Sequence, residues 1–154
     1  MFLILLRHGI AEDHDGSKPD EERELTEVGH KRMKQIARGL AELFPKAEAI
    51  VSSPLVRARQ TAQWVSRAYD LPIEISDALT PDSDEARFRE LVGKLSVQRA
   101  ILVGHEPTIS EFMLALTGLK GGIELKKGGC YGIRDGRLEW MLPPRAMRRR
   151  SMTG

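Results

Sequence analysis

The chain has 154 residues, 41% of them hydrophobic and 30% charged, which suits a single globular domain with one sizeable core. A formal net charge of +2 supplies no field strong enough to argue for nucleic acid, and the lone Cys130 excludes both an intrachain disulfide and a cysteine-cluster metal site. Met1–Leu6 is too short for a signal-peptide core and no later apolar run could span a bilayer, so the expectation is a cytoplasmic protein without a membrane partner.

In chain order, the run Phe2–Leu6 reads as a buried strand that delivers Arg7-His8-Gly9 at its carboxyl end. Gly9–Glu24, polar and broken by Gly16 and Pro19, reads as a long surface loop. From Thr26, a predicted N-cap, the spacing of Met33, Ile36, Ala37, Leu40 and Phe44 predicts a helix that Pro45 stops. Ala49–Val51 predicts a short strand, and Ser53-Pro54 supplies an N-cap and first-turn proline for a helix with Leu55, Ala58, Ala62, Val65 and Tyr69 on its apolar face. Leu71–Ile75 follows as a strand. Asp82 or Ser83 is expected to cap a helix carrying Phe88, Leu91, Val92 and Leu95. Arg99–Val103 is the next strand, and Pro107 or Thr108 opens a helix that runs to about Leu116 and ends at Gly118. The pattern then changes to a hairpin around Asp135-Gly136, with Tyr131 and Ile133 before the turn and Leu138, Trp140 and Leu142 after it. The expected fold is α/β, a single domain (1–144) with a mainly parallel sheet flanked by helices and a C-terminal antiparallel hairpin. Residues 145–154 are expected to form a basic, solvated tail, frayed at Arg148–Arg150.

Open α/β sheets place their chemistry at the carboxyl ends of strands. Three such ends carry reactive or cationic residues here: Arg7-His8-Gly9, Ser52-Ser53-Pro54 with Arg57 shortly after, and Gly104-His105. The last two open helices whose free N–H groups favour an anion. Arginine's planar fork suits a tetrahedral oxyanion, and Gly9 would let the backbone approach a ligand closely, so a phosphoryl group is the natural occupant of Arg7, Gly9, Arg57 and His105. A neutral imidazole can attack phosphorus and hold the phosphoryl covalently, while a second imidazole can donate to a non-bridging oxygen. Neighbouring cations are expected to keep the nucleophile unprotonated. No HxH or HExxH spacing supports a metal, and no cofactor is implied. Ser53 reads as an N-cap rather than a catalytic hydroxyl, His14 and His30 as solvated, Thr26 and Gly29 as structural, and Arg59 as surface, about 200° around its helix from Arg57.

Arg7-His8-Gly9, Leu25-Thr26-Glu27-Val28-Gly29, Ser52 through Ala62, and Val103 through Pro107 together resemble the successive motifs of the histidine phosphatase superfamily, which has the phosphoglycerate mutase-like fold. The short length and Leu79-Thr80-Pro81 make the chain most similar to the SixA-type phosphohistidine phosphatases within it. The resemblance implies that His8 is the nucleophile, that Arg7 and Arg57 clamp the phosphoryl oxygens, and that His105 completes the pocket. The larger mutase-like members carry a carboxylate acid in an insertion before the second histidine, and this chain has only Leu79–Asp84 there. Acid phosphatase-like members place an Asp after that histidine, where Glu106 stands. Glu106 is therefore the candidate general acid, with helix capping as its alternative.

An alkoxide leaving a phosphate ester needs a committed acid, whereas an imidazole leaving phosphohistidine does not. The expectation is accordingly a metal-independent phosphatase acting on a phosphohistidine-bearing protein, for example a phosphotransfer domain, and releasing inorganic phosphate. A small-molecule phosphomonoesterase or mutase of the same superfamily is the alternative, and a non-catalytic phosphate-dependent binding module is a second.

Overall fold

In the computed structural model, which describes residues 1–153, the run FLILLR forms strand β1 (Phe2–Arg7) inside a six-stranded sheet. Side chains on a strand alternate between its faces, and a strand apolar on both must be covered on both. Phe2, Ile4 and Leu6 enter one core, and Leu3 and Leu5 enter the other. Strand β4 (Arg99–Gly104) divides the same way, with Ile101 and Val103 on the first face and Ala100 and Leu102 on the second.

The other strands are β2 (Ala49–Ser52), β3 (Ile73–Ile75), β5 (Cys130–Arg134) and β6 (Arg137–Leu142), in the spatial order β3-β2-β4-β1-β5-β6. The first four are mutually parallel, β5 is antiparallel to β1, and β6 is antiparallel to β5. The sheet is thus the mainly parallel one expected, with its antiparallel addition at one side. Asp135 and Gly136 both take positive φ, 48° and 76°, which a two-residue hairpin turn requires.

Helices α1 (Glu27–Leu43), α2 (Val56–Tyr69) and α5 (Pro144–Thr153) cover the first face through Met33, Ile36, Leu40, Ala58, Ala62, Val65 and Met147. Helices α3 (Glu85–Lys94) and α4 (Thr108–Thr117) cover the second through Phe88, Ile109, Phe112 and Met113. Thr26 caps α1 as expected, its side chain accepting from Gly29 N at 3.0 Å, and Gly118 ends α4 in the left-handed conformation. Two caps differ from expectation. Asp84, rather than Asp82 or Ser83, caps α3, because Asp82 is already accepting the Thr80 hydroxyl at 2.6 Å. Helix α2 starts at Val56 with Leu55 at its N-cap position, so Ser53 lies too early to cap it.

The expected frayed tail is also corrected, since Arg148–Arg150 lie within α5, which packs along α1. Met147 is fully buried, and Gly39 of α1 makes the approach feasible: a Cβ there would lie 1.9 Å from the Met147 carbonyl oxygen. Among the described residues no helix is long and apolar enough to cross a membrane.

Candidate active site at the carboxyl edge of the sheet

The ladder register determines which residues leave the sheet together. Arg7 pairs with Gly104 and Ser52 with Val103, and His8 N and Ser53 N donate to Gly104 O and Val103 O, each at 3.0 Å. His8, Ser53 and His105 therefore emerge side by side from β1, β2 and β4. The His8 and His105 rings lie 5.2 Å apart, centroid to centroid.

His8 is buried, and its Nδ1 lies 2.7 Å from the Gly9 carbonyl oxygen. A carbonyl only accepts, so the proton is on Nδ1 and the lone pair is on Nε2. That lone pair faces Arg57, whose Nε stands 3.4 Å away. The His8 pKa is lowered from 6.5 to about 3, first by burial, against the opposing pull of the Gly9 hydrogen bond, and then by the charges of Arg57, Arg7 and Arg23. Cations do keep this imidazole neutral, as expected from sequence, but desolvation contributes more.

Arg57 is held at its far end. Its Nη1 donates to the Asp20 carbonyl at 2.8 Å and its Nη2 to the Asp20 carboxylate at 3.2 Å. The same carboxylate takes Arg23 Nε at 2.9 Å. Asp20 opens a 3₁₀ turn (Asp20–Glu22) inside the stretch expected to be a surface loop. Burial pushes its carboxyl up and the two guanidiniums outweigh that, so its pKa falls below the ordinary range. Neither Asp20 nor Arg23 was singled out from the sequence. A polar stretch without periodicity carries no sign of which residue reaches a helix beginning 36 positions later.

His105 is also buried, with a pKa lowered to about 2 by desolvation and then by His8 and Arg57. Its Nε2 lies 2.8 Å from Ser53 Oγ, which also accepts from Leu55 N at 3.2 Å, and its Nδ1 has no partner among the described residues. Ser53 is thus a neighbour of the second histidine rather than an N-cap. An isolated Ser-Pro after a strand looks the same in sequence for either role.

Arg7 has its guanidinium on the opposite side, with Nη1 donating to Leu125 O at 2.5 Å and lying 3.5 Å from Glu124. Gly9 has a packing part that the sequence did not show. Its N–H donates to Thr61 Oγ1 at 3.0 Å, and a Cβ would lie 2.5 Å from Met33 Cγ, so its missing side chain permits a close approach to α1. Glu106 accepts from Ser110 N at 2.8 Å, Ser110 Oγ at 2.5 Å and Leu125 N at 2.7 Å. None of these partners is His8, His105, Arg7 or Arg57, and Ser110 N is one of the free N–H groups of the first turn of α4.

Thr26 and Gly29 are structural as expected, a Cβ on Gly29 falling 2.0 Å from Ile10 O, and Arg59 is exposed. His30, expected to be solvated, is half-buried and accepts from Trp64 Nε1 at 3.1 Å. No group of three or more His, Cys, Asp or Glu side chains converges as metal ligands among the described residues. A cleft of about 380 Å³ lined by Asp20, Glu21, Leu55, Thr80, Pro81 and Asp82 opens beside the Arg57 end of this cluster. An apolar cavity of about 190 Å³ around Phe2, Phe44 and Pro45 lies at the opposite edge and touches none of these groups.

Two buried imidazoles and Arg57 meet at the carboxyl edge of a mainly parallel sheet, with Arg7 near enough for its charge to act on His8, an arrangement whose chemistry suits a tetrahedral oxyanion. Residues 3–81 match the family model of the histidine phosphatase superfamily (branch 1), and the chain belongs to that superfamily. It is 34% identical over 142 residues to an uncharacterized protein of Picosynechococcus, covering 88% of this chain and 86% of that one. A SixA phosphohistidine phosphatase homologue of Haemophilus influenzae is 28% identical over 135 residues, 80% of this chain and 81% of the relative. The solved structure of a protein assigned as the phosphohistidine phosphatase SixA of Agrobacterium tumefaciens superposes with a TM-score of 0.80 at 28% identity, covering 93% of this chain and 97% of that one. The fold is shared with a mycobacterial glucosyl-3-phosphoglycerate phosphatase as well, with a TM-score of 0.74 at 20% identity over 94% and 98% of the two chains.

Proposed function

We propose that this protein is a metal-independent phosphatase of the cytoplasm that removes the phosphoryl group from protein phosphohistidine through a covalent phospho-His8 intermediate. The observation that carries the reading is the orientation of His8: its proton is committed to the Gly9 carbonyl and its Nε2 lone pair faces Arg57 in a buried site. The Nε2 lone pair attacks phosphorus, the bond between phosphorus and the substrate nitrogen breaks, and its electron pair leaves with the substrate imidazole. The phosphorylated His8 ring is cationic and keeps its Nδ1–H on Gly9 O. Water then attacks phosphorus, the electron pair of the N–P bond returns to His8 Nε2, and the water proton leaves with inorganic phosphate or to solvent.

Arg57 Nε, beside the attacking nitrogen, and the Arg7 guanidinium bind the phosphoryl oxygens, with Asp20 as the anchor that aims Arg57. Ser53 Oγ, already accepting from Leu55 N, donates its proton to His105 Nε2, which leaves the proton of His105 on the unpartnered Nδ1 as a donor to a non-bridging oxygen.

Phosphohistidine is favoured over esters because neither Glu106, the candidate acid, nor Asp20, the carboxylate on Arg57, is placed to protonate an alkoxide. Glu106 is engaged with Ser110 and Leu125, and Asp20 with Arg23 and Arg57. Asp20, Glu21 and Asp82 in the adjoining cleft repel a leaving group that carries its own negative charge. An activity panel tests the reading. Phosphohistidine peptide should be hydrolysed with kcat/KM at least about 10²-fold above alkyl phosphates and phosphoglycerates, the scale on which a missing general acid is felt. Faster turnover of a small anionic ester would replace this reading with the phosphomonoesterase one.

A further inference from the structure

Strand β6 runs in the same direction as β1, both being antiparallel to β5, so it ends at the same carboxyl edge. Just past its end, Pro143, Pro144, Arg145 and Arg148 join Arg32 of α1 and Lys126 in lining a recess of about 260 Å³. Neighbouring strands lie about 4.8 Å apart, so the recess begins about 10 Å from the end of β1. Chain neighbours of its lining residues contact the active site. Leu125 O accepts from Arg7, Gly128 N donates to both Arg7 O and His8 O at 3.1 Å, and Met33, next to Arg32, packs against Gly9.

Four cations and no carboxylate line this recess. Arg148 donates to Gln35 at 3.3 Å, whereas the side chains of Arg32, Lys126 and Arg145 are exposed and have no ion-pair or hydrogen-bond partner among the described residues. Several surface cations elsewhere are matched, as in Lys18–Glu12, Arg89–Glu85, Lys94–Glu90 and Arg134–Glu139, whereas these three gather unpaired at one recess beside the site. Glu124, the acid nearest in sequence to Lys126, is turned to Arg7. Like charges gathered without a counterion repel one another, and an anionic partner would relieve that repulsion. The opposite side of the site, beyond Arg57, carries the acidic cleft of Asp20, Glu21 and Asp82, so the mouth is electrostatically polar.

We propose that this recess docks an acidic surface of the phosphoprotein substrate, holding its Asp or Glu side chains while the phosphohistidine reaches His8. The inference rests on the phosphohistidine reading above. A protein partner is favoured over nucleic acid because the recess is a local hollow that suits one or two carboxylates, and no aromatic side chain lines it for base stacking. An extended chain advances about 3.3 Å per residue, so the recess reads acids about three to five residues from the phosphohistidine.

The experiment uses two phosphohistidine peptides, one with Glu blocks three to five residues to either side and one with Gln in their place. Wild-type protein should favour the Glu peptide by about tenfold in kcat/KM at low salt, through KM, the scale of two or three solvent-screened ion pairs. High salt and the combined variant Arg32→Glu, Lys126→Glu, Arg145→Glu should both abolish the preference, with turnover of free phosphohistidine unchanged. Anisotropy with the fluorescent, unphosphorylated Glu peptide reads the recess independently of turnover. Binding that is lost in the variant supports docking even if the panel above rejects phosphohistidine as substrate. Should the combined variant fail to fold, Lys126→Gln with Arg145→Gln takes its place. Equal handling of the two peptides, a preference that survives the substitutions, or tighter recess-dependent binding of single-stranded DNA than of the Glu peptide would overturn the proposal.

Discussion

Substituting His8 by Asn should make the protein less sensitive to acid, by an amount that follows from burial. In the folded chain the His8 pKa lies at about 3 against an ordinary 6.5, so between those values the unfolded chain binds a proton that the folded chain refuses. Stability is therefore complete above pH 6.5, falls as pH drops below it, and stops falling near pH 3. At about pH 5, one and a half units into this window at about 1.4 kcal/mol per unit, the loss is about 2 kcal/mol. His105, lowered to about 2, adds a second loss of the same size. Urea unfolding at about pH 7.5 and pH 5 should show that wild type loses about 2 kcal/mol more than His8→Asn, the carboxylate contributions being common to both. Equal losses, or a His8 ring that titrates near pH 6.5 by NMR, would refute the claim that this imidazole is held neutral by burial.

Other substitutions separate the remaining parts of the site. Arg57→Ala should cost about 10²–10³ in kcat, the range for removing one preorganised oxyanion donor, measured with a phosphohistidine peptide. Asp20→Ala removes a charged acceptor from Arg57 and should lower kcat/KM by roughly 10- to 100-fold, with Asp20→Asn recovering part of the loss. Ser53→Ala should lower kcat by roughly tenfold with little change in KM, because it frees the His105 ring to take the wrong tautomer. Glu106→Gln should leave phosphohistidine turnover within a few-fold while thermal unfolding shows a loss of about 1–2 kcal/mol, since its charge holds Ser110 and Leu125. Exhaustive chelation should leave the activity intact, and a loss restored by one added divalent ion would reject metal independence.

The sequence made legible what is written locally. Periodicity and turn chemistry predicted the apolar runs of β1 and β4, the Thr26 cap, the Gly118 stop and the Asp135-Gly136 turn. The two strands carry His8 and His105 to one edge by topology alone. Helix α5 was hidden because its sequence, PRAMRRRSMT, carries four arginines and no apolar stripe long enough to mark a buried face. Its burial depends on Met147 and on the gap opened by Gly39, more than 100 positions earlier. The Asp20–Arg57 pair and the Ser53–His105 bond were hidden for the same reason, as each joins groups that only the folded chain brings together. The closeness of Gly9 to Met33 of α1 was hidden likewise, because a glycine after a strand does not show which neighbour needs its missing side chain.

The central claim, that His8 Nε2 becomes phosphorylated during turnover, is tested most directly by trapping the enzyme with phosphohistidine peptide and mapping the bound phosphate. A rapid alkaline quench followed by mass spectrometry should find a substoichiometric phosphoryl group on His8 alone, stable to alkali, labile to acid and absent from His8→Asn together with turnover. Full turnover without phosphate on His8, or near-normal turnover by His8→Asn, would contradict the mechanism.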